Sequence, residues 1–302
     1  MTYPLGYPLA SSRTAPDRGN GAGSGPVRPT KDLRSSTRLS TRQLTVIRGR
    51  LSARDREVLE LVARFRVMSG DQLQRLFWPD GSPQTRARLA RHGLSRLSEL
   101  DVLAPLARRV GGVRAGSAGT CFAAGLAGQR LLSSRESARR VRRLYTPGER
   151  YLTHTLAVGQ LYVELVETGR RKQAELVVYQ PEPECWRAFL GPFGARIPCK
   201  PDAYVKLGVG DYDYSWLVEL DMASESLTTI ERKATCHLGY YRSGAWQRTH
   251  GVAARVAWIV PDARRATQVQ TALDRLPAEA GKLFAVATAA DAVTLLTAQA
   301  RS

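Results

Sequence analysis

Long apolar runs are missing from this 302-residue chain. No stretch of 18 or more apolar residues occurs, so no membrane-spanning helix and no membrane partner are expected. The opening residues, MTYPLGYPLASSRTAPDRG, hold no sustained apolar segment, so no secretory signal is expected. Cysteine is scarce. Cys121, Cys185, Cys199 and Cys236 stand far apart and none forms a C-x-x-C, so spacing suggests neither a structural zinc site nor a disulfide framework. The expected compartment is a reducing cytoplasm. The four histidines (His92, His154, His237, His250) lack the clustered spacing of a metal-binding triad beside a nucleophilic tyrosine. No Walker-type glycine loop is present, and the glycine-rich run at 111–119 lacks the strand-then-helix setting of a phosphate cradle.

Acidic residues are also few, 27 against 45 Lys and Arg, for a net charge of +18. The excess is not spread evenly. Residues 1–50 carry +7, residues 51–150 carry +10, and residues 151–302 carry only +1. A basic first half is the electrostatic footprint of a polyanionic partner, with double-stranded DNA the first expectation. The 43% hydrophobic content suits a globular protein, and the length suits two cores.

Residues 1–48 are rich in Gly, Ser, Pro, Thr and Arg without apolar periodicity, and read as a disordered basic arm. From about residue 49 the texture changes. Ser52 caps a helix with Leu51, Val58, Leu59, Leu61, Val62 and Phe65 on one stripe, and Ser69 opens a short one carrying Leu73, Leu76 and Phe77. Ser82-Pro83 starts a third, with Leu89, Gly93, Leu97 and Leu100 expected inward and Gln84, Arg88, Arg91 and Ser95 outward. Strands are expected at 102–110 and 120–123 around a basic tip, then a closing helix at 126–132. The plan over 49–132 resembles a winged helix-turn-helix DNA-binding domain. Gln84, Arg88, Arg91 and Ser95 would then face the major groove, and Arg108, Arg109 and Arg114 would meet phosphate or the minor groove. The alternative is a solvated basic face in a protein-binding domain. A basic linker follows at 133–149.

The remainder, 150–302, reads as helix, three strands, helix, strand, helix, strand: an α/β core with a mixed sheet flanked by helices. A long helix at 150–168 carries Leu152, Leu156 and Leu161, and its lone His154 reads first as a packed or capping residue. Residues 181–199 read as irregular. The most informative stretch is Pro201 to Tyr241. Ala203–Val209 and Tyr214–Asp221 form a hairpin across a turn at 208–213. Period-two alternation puts Leu217, Glu219 and Asp221 on one face and Trp216, Val218 and Leu220 on the other. Asp202 opens the first strand where Glu219 and Asp221 close the second, so three carboxylates are expected at one sheet end. Ser226 caps a helix with Leu227, Ile230, Ala234, Leu238 and Tyr241 inward and Lys233, His237 and Tyr240 flanking. Carboxylates facing a lysine suit divalent-metal phosphodiester chemistry, because hard oxygens hold Mg²⁺ and a cation steadies phosphate. The plainer alternative is an acidic hairpin end paired with surface cations.

Pro201-Asp202 before one strand and Glu219-x-Asp221 on the next resemble the PD-(D/E)xK restriction-endonuclease-like fold. That resemblance implies Asp202, Glu219 and Asp221 as Mg²⁺ ligands and Lys233 as the catalytic cation. Asp221 occupies the family's usual lysine position, so Lys233 on the next helix would have to substitute. The wider combination resembles the replication-relaxation family over roughly residues 50–260. It comprises a winged helix, the run His154-Thr155-Leu156-Ala157-Val158, Pro201-Asp202-Ala203, Glu219 to Glu225, and Lys233 with Tyr240-Tyr241. The resemblance implies a DNA-binding accessory protein in replication or mobilisation of a plasmid or integrative element. Other replication or transfer proteins are implied as partners, and a homo-oligomer is compatible. The alternatives are a Mg²⁺-dependent nickase or endonuclease using Asp202, Glu219, Asp221 and Lys233, and a winged-helix transcriptional regulator.

Overall fold

The computed structural model of the protein describes residues 39–109, 119–133 and 147–298. Most of the expected arm, the basic tip with Arg114, and Arg139, Arg140, Arg142 and Arg143 of the expected linker lie outside the described residues.

Serine starts the first four helices. Ser40, Ser52, Ser69 and Ser82 cap α1 (Thr41–Arg50), α2 (Ala53–Phe65), α3 (Gly70–Phe77) and α4 (Pro83–Glu99), each accepting a backbone N–H bond. The first three are capping boxes closed by Gln43, Asp55 and Gln72. The helix α1 lies in a stretch that apolar periodicity left without structure. It buries none of its residues, so the Ser40–Gln43 box is the local signal that marks it.

The strands β1 (Met68–Ser69), β2 (Leu103–Arg109) and β3 (Thr120–Ala124) form an antiparallel sheet in the order β1-β3-β2, followed by α5 (Leu126–Leu132). Val58, Leu59, Val62, Leu73, Leu97 and Val102 fill the core beneath it. One helix face differs from expectation. Leu89 is 41% exposed, and α4 buries Ala90, Gly93, Leu94 and Leu97. Trp78 packs against the edge of this face: its ring lies against Gly93 so closely that a Cβ there would sit 2.7 Å from Cζ2. One residue is 100° of helix, so the buried stripe centres on Ala90, Leu94 and Leu97, which leaves Gly93 at its edge and Leu89 beyond it.

The 22-residue α6 (Glu149–Arg170) serves two sides. Toward α3, Gln72 Nε2 donates to Leu156 O at 2.8 Å, and Arg75 makes a two-pronged pair with Glu167 at 2.7 and 2.9 Å. Toward the sheet, Tyr179 Oη donates to Val158 O at 2.7 Å. One buried apolar cluster therefore runs from Leu51 to Leu296 through this helix.

The second sheet contains β4 (Glu175–Pro181), β7 (Ala203–Val209), β8 (Tyr212–Leu220), β9 (Arg255–Val260) and β10 (Phe284–Thr288), ordered β10-β9-β8-β7-β4. The β4–β7 and β7–β8 pairs are antiparallel, whereas β8–β9 and β9–β10 are parallel. The chain is thus a mixed α/β protein. Only Gly210 and Asp211 join β7 to β8, and Gly210 takes φ +59°, which a side chain would resist. The strand β8 consequently starts two residues earlier than the expected Tyr214, whereas β7 keeps its expected bounds.

Alternation sorts the sheet's two faces. Trp216, Val218 and Leu220, with Ala203, Val205, Ala257 and Ile259, join the cluster beneath α6 and α11 (Ala292–Thr297). Leu217, Tyr204, Val256 and Trp258 join the cluster beneath α7 (Leu227–Arg242) and α9 (Ala263–Leu273). Residues 181–199, read as irregular, contain a small hairpin of β5 (Arg187–Leu190) and β6 (Arg196–Cys199). Its strands are four residues long and prolines and glycines punctuate it, so no period could be read. The short helices α8 (Ala245–His250) and α10 (Ala280–Leu283), with a 3-10 turn at Pro192–Gly194, complete the described elements.

Candidate functional site

The end of the β7–β8 hairpin positions two carboxylates. Ala203 pairs with Val218, which places Asp202 beside Glu219 in register. The Asp202 backbone N–H donates to Val218 O at 2.9 Å, and its Oδ2 accepts from the Leu220 N–H at 2.7 Å. The aspartate thus staples the strand ends together. Its Oδ1 faces His154 Nε2 on α6 at 3.2 Å. That bond raises the His154 pKa above the ordinary histidine value against opposition from burial. Glu182, just beyond β4, lies in the field of Asp202. Burial and then the Asp202 charge push its carboxyl above the usual range.

Glu219 is 1% exposed. A carboxylate that deep needs partners, and α7 supplies them. Ser226 caps this helix, and Lys233 and His237, four residues apart, project from one side. Lys233 Nζ lies 3.1 Å from Glu219 Oε2 and 2.9 Å from Glu225 Oε1, and His237 Nε2 lies 2.7 Å from Glu219 Oε1. Burial disfavours the Lys233 charge, but Glu219, Asp202 and Glu225 together hold its pKa above the ordinary lysine value. The expected inward stripe of α7 is shifted at its end. His237 and Tyr240 are buried, and Tyr241 is exposed. Phe189 of β5 sits against Gly239 and tilts onto the Tyr240 ring at 5.9 Å, which fixes that roll.

Asp221 has a different partner. Its Oδ2 accepts from Arg265 Nε of α9 at 2.5 Å, and Arg265 Nη2 donates to Glu225 O at 2.7 Å. The Asp221 side chain is fully enclosed, and its Oδ1 has no hydrogen-bond partner. The structure therefore brings Asp202, Glu219 and Lys233 together with His154, His237 and Glu225, while Asp221 is drawn to α9. As arranged, the three carboxylates do not fit an octahedral Mg²⁺ shell. The oxygens of Asp202 and Glu219 each meet an N–H, imidazole or ammonium group, and Asp221 is shared with a guanidinium. Among the described residues, no three His, Cys, Asp or Glu side chains are grouped to hold a metal ion.

Sequence reasoning left out His154 as a partner of Asp202, His237 as a partner of Glu219, and Arg265 altogether. His237 had a usable signal, since its i, i+4 relation to Lys233 puts both on the same side. Arg265 had none, because it stands 44 residues beyond Asp221.

The second candidate surface is the outer face of α4. Gln84, Arg88, Arg91 and Ser95 are all exposed. Ser95 Oγ donates to Glu99 Oε1 at 3.2 Å. Arg96 turns inward instead, pairing with buried Asp55 of α2 at 2.5 Å and so fixing α4 to its neighbour. Arg108 and Arg109 lie on β2, with Arg109 opposite Thr120.

A family model described as "Replication-relaxation" matches residues 59–256, from within α2 to the start of β9. The match contains α4, α6 and every residue of the Asp202–Glu219–Lys233 cluster. No curated protein matches the chain.

Proposed function

The chain belongs to the replication-relaxation family, and from that premise we propose that it is a DNA-binding accessory protein acting in replication or mobilisation of a plasmid or integrative element. In this reading the unit from α2 to α5 is a winged helix and α4 is its recognition helix. The single observation that carries the reading is the outer face of α4. Arg88 and Arg91 are exposed one turn apart, on the half of the chain that carries nearly all of the +18 charge. The order α2-β1-α3-α4-β2-β3, with the three strands in one antiparallel sheet, supports it. A helix in the major groove aims such arginines at guanine O6 and N7, while Gln84 and Ser95 add contacts at its ends. Duplex DNA is the partner, and other replication or transfer proteins are recruited beside it.

Replacing Arg88 and Arg91 together by alanine is the test. If they read bases, each contributes about 1–3 kcal/mol, so affinity for origin duplex falls at least tenfold. Fluorescence anisotropy over a salt series measures this, and the salt slope falls by about one for every phosphate that is no longer neutralised. Unchanged affinity near physiological salt removes α4 from the interface. A footprint confined to promoters would favour a transcriptional regulator instead.

The carboxylate cluster is assigned a structural role in this reading. One observation favours the nuclease alternative: Lys233 reaches Glu219, as a lysine displaced onto the next helix must. The carboxylates, however, are engaged by protein donors (the Leu220 N–H and His154 at Asp202, Lys233 and His237 at Glu219, Arg265 at Asp221) rather than left open to a metal. We therefore expect no nicking of supercoiled origin plasmid with Mg²⁺ or Mn²⁺. Nicking by the wild type that disappears in Asp202→Ala would overturn the structural assignment.

A further inference from the structure

Cysteine spacing suggested no pairing, but the fold brings two of the four thiols together. Cys199 ends β6 and is buried; Cys236 lies on α7 and is partly exposed. The two thiols meet where the end of β6 packs against α7, each touching a residue that adjoins the other in sequence. Cys236 Sγ also lies 3.5 Å from the carbonyl of Pro198, the residue before Cys199. Cys199 Sγ in turn lies 3.3 Å from His237 Nδ1, whose opposite nitrogen is bonded to Glu219. The other two cysteines, Cys121 and Cys185, are buried.

We propose that Cys236 and Cys199 form a peroxide-reactive thiol pair, in which Cys236 takes the oxidant and Cys199 closes an intramolecular disulfide between β6 and α7. The arrangement has the parts this chemistry needs: an accessible attacking thiol and a shielded resolving thiol beside it. The environment favours the same order of events. Hydrogen bonding from Cys199 holds the Cys236 pKa at about 7 against burial, with His237 assisting. Cys199 is pushed well above the ordinary thiol value by that same bond and by burial, so it keeps its proton while Cys236 reacts.

The steps balance. The Cys236 thiolate attacks one peroxide oxygen, an S–O bond forms, the O–O bond breaks, and the departing hydroxide takes up the proton that the Cys236 thiol released on ionising, giving water. This gives a sulfenic acid on Cys236. Cys199 sulfur then attacks the Cys236 sulfur, the S–S bond forms, the S–O bond breaks, and the departing hydroxide takes the Cys199 proton as a second water. Two thiols are oxidised and one peroxide is reduced. The disulfide withdraws Cys199 from His237 Nδ1, so thiol state reaches the Glu219 cluster through one hydrogen bond. The inference does not depend on DNA binding.

The test uses the full chain, reduced and then treated with stoichiometric hydrogen peroxide. Peptide mapping after thiol blocking is expected to find a Cys199–Cys236 cross-link. Cys199→Ala is expected to abolish it and leave a sulfenic acid on Cys236 that dimedone traps. At pH 7 one thiol should react with Ellman's reagent about tenfold faster than an ordinary exposed cysteine, because far more of it is thiolate. Cys236→Ser should remove that fast phase, and Cys236→Ala with an unchanged circular dichroism spectrum guards against misfolding. The proposal is overturned if the fast phase survives in both Cys236 variants, or if peroxide links Cys236 only between molecules. It is also overturned if the wild type accumulates sulfinic acid at Cys236 with no cross-link to Cys199. Should Cys199→Ala fail to fold, the wild-type map decides alone.

Discussion

Asp221→Ala is expected to cost the protein about 3–5 kcal/mol of stability, the range seen when one member of a buried ion pair is removed. The reason lies in what stays behind. The Arg265 side chain is only 9% exposed, and Asp221 is its one carboxylate partner among the described residues. Its other hydrogen bonds, to Glu225 O and Gln268 Oε1, satisfy donors but do not neutralise the charge. A guanidinium cannot shed its proton at any relevant pH, so the uncompensated charge must be borne or the helix α9 must move. Arg265→Met is expected to be milder, because it removes the enclosed guanidinium, the group that cannot lose its charge. The double variant Asp221→Leu/Arg265→Met should recover most of the loss, since a well-packed apolar pair replaces a desolvated ionic one at little net cost. Urea denaturation of the three variants measures this. A loss below about 1 kcal/mol in Asp221→Ala would mean that water reaches Arg265, and that the pair is not the structural tie described.

Glu219→Ala is the second large effect, at roughly 2–4 kcal/mol. The figure is set below the fully buried case because Lys233 keeps 30% of its side chain exposed and retains Glu225. His237 loses its only carboxylate partner among the described residues and is left in a nearly closed site, with Nδ1 still facing Cys199. The sign of this change is informative about function. A carboxylate held in a strained, under-neutralised site for chemistry is often released by its removal, and stability then rises. Glu219 sits between a lysine and a histidine, so its removal must destabilise. Thermal unfolding of Glu219→Ala and Glu219→Gln separates charge from packing, with Gln expected to lose less because it retains the volume and one acceptor. Stabilisation by either substitution would contradict the structural assignment and return the cluster to the catalytic reading.

Much of this architecture could be read locally. Ser52, Ser69, Ser82 and Ser226 announced four helix starts. Alternation along Tyr214–Leu220 separated Trp216 and Val218 from Leu217 and Glu219, and the structure keeps that division across the sheet. The neighbouring positions of Asp202 and Glu219 were expected from the hairpin, and the two-residue connection found in the structure sets the register that puts them side by side. Errors came where a one-residue offset decides a helix face. Leu89 and Tyr241 were expected inward, but α4 buries Ala90 with Leu94 and Leu97, and Phe189 against Gly239 and Tyr240 turns the end of α7. Phe189 does not belong to the helix it turns, so no periodicity within α7 could reveal that roll, whereas Ala90, Leu94 and Leu97 of α4 already stand at stripe spacing in the sequence.

The sequence alone determined the alternation of helices and strands, the hairpin with its two adjacent carboxylates, the uneven charge and the family. These depend on interactions between residues a few positions apart, or on composition, and both survive in one dimension. Tertiary structure alone decided the pairings: His154 to Asp202, Lys233 and His237 to Glu219, Arg265 to Asp221, and Cys236 to Cys199. Burial makes those choices. A carboxylate excluded from water takes whichever cation the packed helices carry to it, and α6, α7 and α9 are brought to the sheet by their apolar faces, not by their charges. The three carboxylates that one dimension gathered into a single cluster were thereby divided between two helices, Glu219 to α7 and Asp221 to α9.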